Sequence, residues 1–97
     1  MPNFDYKDFM VKFLYAERNG GIDSVKRLYE TERIKYSDNV EYYASLVITL
    51  NHLLWDHFER GDEKYARLYD MLYKQANRYA CDHFKGEDAE YYFSFLD

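Results

Sequence analysis

The chain has 97 residues, which is enough for one small hydrophobic core, so we treat residues 1–97 as a single helical domain. A formal net charge of −5 argues against general nucleic-acid binding, because an acidic chain gains little from counterion release. The single cysteine, Cys81, excludes an internal disulfide. The absence of a charge-free apolar stretch leads us to expect a cytoplasmic protein without a signal peptide or contact with a membrane.

Capping residues divide the sequence into about five helical segments. Glycine just past a helix and Asp, Asn or Ser just before one are typical of helix ends. Asp38 precedes Glu41 by three residues, the spacing of a capping box. The sequence therefore predicts an all-α compact bundle of about five helices around a central αα-hairpin. The predicted helices span about 3–18, 23–33, 38–60, 62–85 and 87–96.

The first two predicted helices each have one apolar face at helical spacing. The apolar face of the first helix comprises Tyr6, Phe9, Met10, Phe13, Leu14 and Ala16. Val11 and Tyr15 fall outside it. The second is narrower and comprises Val25, Leu28, Tyr29 and Tyr36.

The third predicted helix, residues 38–60, is apolar around most of its circumference. Trp55 and Phe58 fall within this apolar arc, and so do the polar residues Asn51 and His57, which need hydrogen-bond partners if they are buried. The polar strip is narrow and comprises Glu41, Ser45, Thr49, His52, Asp56 and Glu59. A helix of this kind must be surrounded by others, so we predict that it is the central helix.

The fourth predicted helix is amphipathic and follows a short turn at Gly61, so it should run antiparallel to the third. Its apolar face comprises Tyr65, Leu68, Tyr69, Leu72, Ala76, Tyr79, Ala80 and His83. His83 is expected to pack there or to compensate the helix dipole. The last helix carries aromatic residues on both sides, which one core does not easily bury.

No residue pattern indicates an enzyme, so we predict no catalytic site, cofactor or metal. His52, Asp56 and Glu59 share one helix face and could begin a metal site if another helix supplied a ligand; the alternative is a solvated strip. Cys81 lies beside Arg78 and Lys85, and such cations favour a reactive thiolate. The alternative is an incidental surface thiol, because no second catalytic group accompanies it.

The aromatic content suggests a protein or nucleoprotein partner. Twelve Tyr and seven Phe exceed what a chain of this length needs, and exposed aromatic patches often mark interfaces. Tight packing of the rings along helix grooves is the alternative. The candidate partner-binding residues are Tyr73, Tyr91, Tyr92, Phe95, Asp62, Glu63, Glu87, Asp88 and Glu90.

A basic stripe on the fourth helix supports an alternative function, a nucleic-acid-binding regulator that could act as a homodimer. Glu63, Asp70 and Asp82 dilute the positive charge, so a solvated face is the simpler interpretation. The stripe comprises Lys64, Arg67, Lys74, Arg78 and Lys85.

The last 60 or so residues carry a distinctive series of short motifs. These are Asn39-Val40-Glu41-Tyr42-Tyr43-Ala44-Ser45-Leu46-Val47, Leu50-Asn51-His52, Trp55, Gly61 and Ala66-Arg67-Leu68-Tyr69. In these motifs, residues 38–97 resemble small uncharacterised proteins of phages and integrative elements of Gram-positive bacteria. The resemblance implies an accessory role. Small acidic proteins of such elements are often inhibitors of host defence, anti-CRISPR proteins among them.

Overall fold

The computed structural model describes residues 6–96 and confirms the all-α class, because this part of the chain contains helices and turns and no strand. The predicted helix start at Asn3 and the side chains of Tyr6 and Asp97 lie outside the described residues. The helices are α1 (Tyr6–Lys35), α2 (Val40–Glu59), α3 (Glu63–His83) and α4 (Glu87–Leu96).

The first two predicted helices form one element, α1, which reverses direction at Gly21. This glycine has φ 68° and ψ −160°, a left-handed conformation that a residue with a side chain rarely adopts. Lys12 Nζ lies 3.6 Å from Glu32 Oε2, whereas a straight helix would separate these residues by about 30 Å. The described residues form four continuous elements rather than the predicted five, because the break predicted between the first two helices is confined to Gly21, whose non-helical backbone separates two helical arms of α1.

Local backbone chemistry sets both ends of α2. The N-cap is Asn39, whose side chain accepts a hydrogen bond from the Tyr42 N–H at 2.9 Å; the predicted N-cap, Asp38, was wrong by one residue. At the other end, Gly61 has φ 79° and its N–H donates to the Phe58 carbonyl. The Asp62 N–H donates to the His57 carbonyl at 2.9 Å. These two bonds form a Schellman motif, which reverses the chain into α3.

The predicted central helix is confirmed, with the bounds Val40–Glu59 in place of 38–60. Helix α2 packs against α1, α3 and α4, and most of its side chains are buried. Its buried residues are Val40, Tyr42, Tyr43, Ala44, Ser45, Leu46, Val47, Thr49, Leu50, Leu53 and His57.

Two parts of the predicted pattern on α2 were wrong. Ser45 and Thr49, expected on a solvated strip, are buried because α4 packs against the start of α2. Asn51, Trp55 and Phe58, expected in the apolar arc, are exposed. A 10-residue helix such as α4 is only half as long as the 20-residue α2, so it cannot cover the whole of this side.

Aromatic rings hold α1 on the central helix. Phe9 and Phe13 stack with their ring centroids 4.5 Å apart, and Phe9 meets Tyr42 edge to face at 5.4 Å. Tyr36, just after α1, also stacks on Tyr42, with the ring centroids 5.0 Å apart. Much of the aromatic content is therefore used in the core, while Val11 and Tyr15 are exposed on α1.

Helices α3 and α4 complete the bundle, which measures 39 × 23 × 19 Å. Helix α3 buries Ala66, Tyr69, Leu72, Ala76 and Ala80. Helix α4 inserts Tyr92 into the core. Within residues 6–96, no helix combines the length and the apolar character needed to cross a membrane.

Candidate functional site

An apolar groove lies between α2 and α3 near the turn that joins them. Its volume is about 350 Å³. We call it the α2–α3 groove, and its lining residues are Leu54, Trp55, Phe58, Glu63, Ala66, Arg67 and Asp70.

Two exposed aromatic side chains dominate this groove. Trp55 is 51% exposed and Phe58 is 54% exposed, although both are large and apolar. They are three residues apart, so they are neighbours on the helix surface, and their rings meet edge to face with centroids 5.5 Å apart. The groove therefore presents a continuous aromatic surface to solvent.

Charged side chains of α3 also line the groove. Glu63 and Arg67 of α3 are exposed at the groove. Asp70 also lines it and forms an ion pair with Lys74 at 2.8 Å. An apolar centre with a polar rim is the usual anatomy of a protein–protein interface.

His57 stabilises the end of the bundle where the groove lies. Its Nε2 is 2.7 Å from a carboxylate oxygen of Glu17, which ties α2 to α1. Its Nδ1 faces Asp62 Oδ2 at 3.3 Å and an Arg60 guanidinium nitrogen at 3.5 Å. The ring also stacks on Tyr69 of α3 at 5.3 Å. The prediction that a buried His57 has hydrogen-bond partners is confirmed.

The structure divides the predicted partner-binding residues between opposite ends of the bundle. Asp62 and Glu63 lie at the α2–α3 turn, where Asp62 faces His57. Tyr73 lies in the middle of α3, and the remainder lie on α4, which begins after the other end of α3, whose 21 residues span about 30 Å. The exposed members at that end are Tyr91, Phe95, Glu87, Asp88 and Glu90.

Two of the predicted residues do not belong to an exposed surface. Tyr92 is fully buried, because the core-facing side of α4 directs its ring inward, and its hydroxyl donates to Asn77 Oδ1 at 2.7 Å. Burial raises the pKa of this hydroxyl, which therefore stays protonated as a donor. Tyr73 is half-buried and packs against the core. Tyr92 is thus a structural residue and not a contact residue.

Replacing Tyr92 with phenylalanine should lower the free energy of unfolding by about 1 kcal/mol, because Asn77 then loses a buried hydrogen-bond partner. Urea unfolding followed by circular dichroism would measure the change. Tyr91→Phe is the matched control, since it removes an exposed hydroxyl from the same helix. Equal destabilisation by the two variants would contradict a structural role specific to Tyr92.

The basic stripe is exposed, and four of its members lie on α3; Lys85, predicted to lie on the same helix, follows the helix end at His83. All five members, Lys64, Arg67, Lys74, Arg78 and Lys85, are exposed. Arg67 also lines the α2–α3 groove, and Lys74 is engaged by Asp70. An exposed Met71 interrupts the stripe. The stripe therefore combines free positive charge with apolar surface.

The other candidate residues lie apart from one another. Asp56 pairs with Arg60 at 2.8 Å, and no group of three His, Cys, Asp or Glu side chains within the described chain is arranged to hold a metal ion. Cys81 is exposed, with its Sγ 3.8 Å from Asn77 Oδ1. His83 stacks on Tyr79 at 5.0 Å, and its Nε2 lies 2.6 Å from Asp38 Oδ1.

Helical periodicity does not predict the α2–α3 groove, because it places Trp55 and Phe58 in the core. The available signal was the width of the apolar arc, which exceeded what neighbouring helices could cover. Chemically, the groove offers apolar contact together with ionic contacts at its rim. Comparison of the chain with protein-family models, curated proteins and solved structures found no match.

Proposed function

We propose that this chain is a non-enzymatic interaction module that binds a partner protein through the α2–α3 groove. The exposure of Trp55 beside Phe58 is the observation that carries the proposal. Leaving two large aromatic side chains half in water is unfavourable, since full burial of such a side chain is worth about 1.5–3 kcal/mol. Trp and Arg are also the residues most enriched among those that dominate binding energy.

The shape of the groove favours an amphipathic helix of the partner as its occupant. A channel between two antiparallel helices accommodates a third helix, whose apolar residues enter it at helical spacing. Trp55 and Phe58 would contact these apolar residues. Glu63 and Arg67 would fix the register of the helix by pairing with charges of opposite sign.

The biological role that we propose is inhibition by occlusion of a host defence complex, of the anti-CRISPR type. The resemblance of residues 38–97 to proteins of phages and integrative elements supports this role. An inhibitor of this kind needs no catalytic group, because a tightly bound small domain blocks the surface that its target would use. The compact aromatic core suits such a role, since a rigid binder loses little conformational entropy on association.

The double substitution Trp55→Ala/Phe58→Ala should reduce the affinity for the partner by about 30-fold or more, because it removes the aromatic centre of the interface. The partner would first be captured from host lysate, identified by mass spectrometry and purified. Its affinity for each variant would then be measured by calorimetry. Circular dichroism would show that the helices remain.

The matched control is Val11→Ala/Ile34→Ala, which shortens two exposed apolar side chains on α1. We expect this variant to bind like the unaltered chain. Equal affinity of the two double variants would overturn the assignment of the groove as the binding site. Failure to recover any stoichiometric partner under varied salt would count against the interaction module itself.

A second candidate function is that of a nucleic-acid-binding regulator, which could act as a homodimer. Four exposed basic residues of α3 favour it, because they lie opposite the buried face of that helix, and Lys85 follows just after the helix. Gel shifts at low salt would test it, with the solution mass giving the oligomeric state. Retention that is lost in Arg67→Gln/Arg78→Gln would support the regulator, and the absence of any shift would remove it.

A further inference from the structure

Helix α4 presents a second exposed aromatic surface, separate from the groove. Tyr91 is 46% exposed and Phe95 is 37% exposed, and their rings meet with centroids 4.8 Å apart. The two residues are four apart and lie on the side of α4 that faces Glu41 of α2. We define the α4 edge as Glu41, Glu87, Asp88, Tyr91 and Phe95.

The polar part of the α4 edge is entirely acidic. The first turn of α4 contains three carboxylates, and the helix contains no basic residue. Glu87 and Asp88 are exposed, so their charges face solvent. The Tyr91 hydroxyl donates to the Glu41 carboxylate at 2.9 Å, a bond that holds the Tyr91 ring in position beside these charges.

We propose that the α4 edge binds an arginine-bearing segment of a protein partner. A guanidinium group can form paired hydrogen bonds with a carboxylate and can also stack on an aromatic ring. The α4 edge carries both kinds of group, because Glu87, Tyr91 and Phe95 follow one another at four-residue spacing on one face of α4, next to Asp88. Charge complementarity fixes this choice of occupant, since the same carboxylates repel a phosphate backbone and a second copy of this acidic chain.

This inference does not depend on the α2–α3 groove. The groove lies at the α2–α3 turn, whereas α4 begins just beyond the opposite end of α3. The two surfaces could contact separate parts of one partner or two different partners. Each surface can therefore be tested while the other remains intact.

A titration of the whole chain with two fluorescent peptides would test the proposal. One peptide would repeat Gly-Arg and the other Gly-Lys, with equal length and charge, and fluorescence anisotropy would measure the affinities. We expect the arginine peptide to bind about fivefold more tightly, because lysine cannot stack and pair simultaneously. Equal affinities would overturn the proposal, since they would indicate attraction by charge alone, and so would the absence of binding by both peptides.

Variants would locate the binding surface. Glu87→Gln/Asp88→Asn should weaken binding of the arginine peptide by about tenfold, as expected when charge-assisted hydrogen bonds are lost. The matched control, Glu30→Gln/Glu59→Gln, removes the same charge from exposed positions outside α4 and should change the affinity by less than about twofold. Trp55→Ala/Phe58→Ala should leave the affinity unchanged, which separates this surface from the groove. Equal weakening by the variant and the control would contradict the proposal.

A measurement on the unaltered chain covers the case in which the α4 variant fails to fold. Nuclear magnetic resonance would follow the ring protons of Tyr91 and Phe95 during titration with the arginine peptide. We expect these signals to shift, while those of the exposed Tyr15 on α1 stay in place. Shifts at Tyr15 without shifts at Tyr91 and Phe95 would place the peptide elsewhere and overturn the proposal.

Discussion

Replacing Phe13 with alanine is expected to lower the free energy of unfolding by about 3–5 kcal/mol, the usual range for truncating a fully buried phenylalanine. Phe13 has no exposed surface and stacks on Phe9, which in turn contacts Tyr42 of the central helix. The substitution leaves a cavity between α1 and α2. A domain of this size has about 5–15 kcal/mol of stability in total, so the loss should be visible as a large fall in the urea midpoint.

Tyr15→Ala is the matched control for this prediction. Tyr15 lies two residues further along α1 and is 68% exposed, so its removal should change the stability by less than about 0.5 kcal/mol. The difference between the two variants measures how strongly α1 is packed on the bundle. Similar, small effects for both would indicate that α1 is not part of the cooperative core.

Replacing His57 with alanine is expected to lower the free energy of unfolding by about 2–4 kcal/mol, since it combines lost packing with broken hydrogen bonds at a buried site. The ring would no longer stack on Tyr69, and the Glu17 carboxylate, whose side chain is only 22% exposed, would lose its contact at 2.7 Å. Thermal unfolding would measure the effect. His52→Ala is the control, because His52 is an exposed histidine on the same helix and should tolerate the change.

A double-mutant cycle would test whether the contact between His57 and Glu17 is itself stabilising. Glu17→Ala alone, His57→Ala alone and the double variant should give a coupling energy of about 0.5–3 kcal/mol, the range for residues in one hydrogen-bond network. Additive effects would show that the two side chains contribute independently. In that case the His57 effect would come from its other contacts, which are with Asp62, Arg60 and Tyr69.

The exposed residues of the α2–α3 groove show what helical periodicity cannot predict. Periodicity places Trp55 and Phe58 on the same apolar arc as buried residues such as Leu50 and Leu53. It does not tell how far along α2 the neighbouring helices extend. Because α4 has only 10 residues, it leaves part of the central helix uncovered.

Tyr92 shows the converse case, in which a residue predicted to be exposed is buried. Tyr91 and Tyr92 are adjacent in sequence, and both were predicted to contact a partner. In the structure Tyr92 is fully buried and Tyr91 is 46% exposed. Only the orientation of α4 on the bundle decides which of two successive residues faces the core, because successive side chains on a helix point about 100° apart.

The all-α class, the break between the first two helical segments, the turn at Gly61 and the central position of α2 could all be predicted from the residues alone. These features follow from local chemistry, since helix caps, glycine conformations and apolar periodicity act over a few neighbouring residues. The tertiary structure adds that the chain folds back on itself at the predicted break, with Lys12 beside Glu32, that His57 bonds to Glu17, and that Trp55 and Phe58 stay exposed. These features depend on the lengths and relative positions of whole helices, which join residues distant in sequence and leave no local pattern.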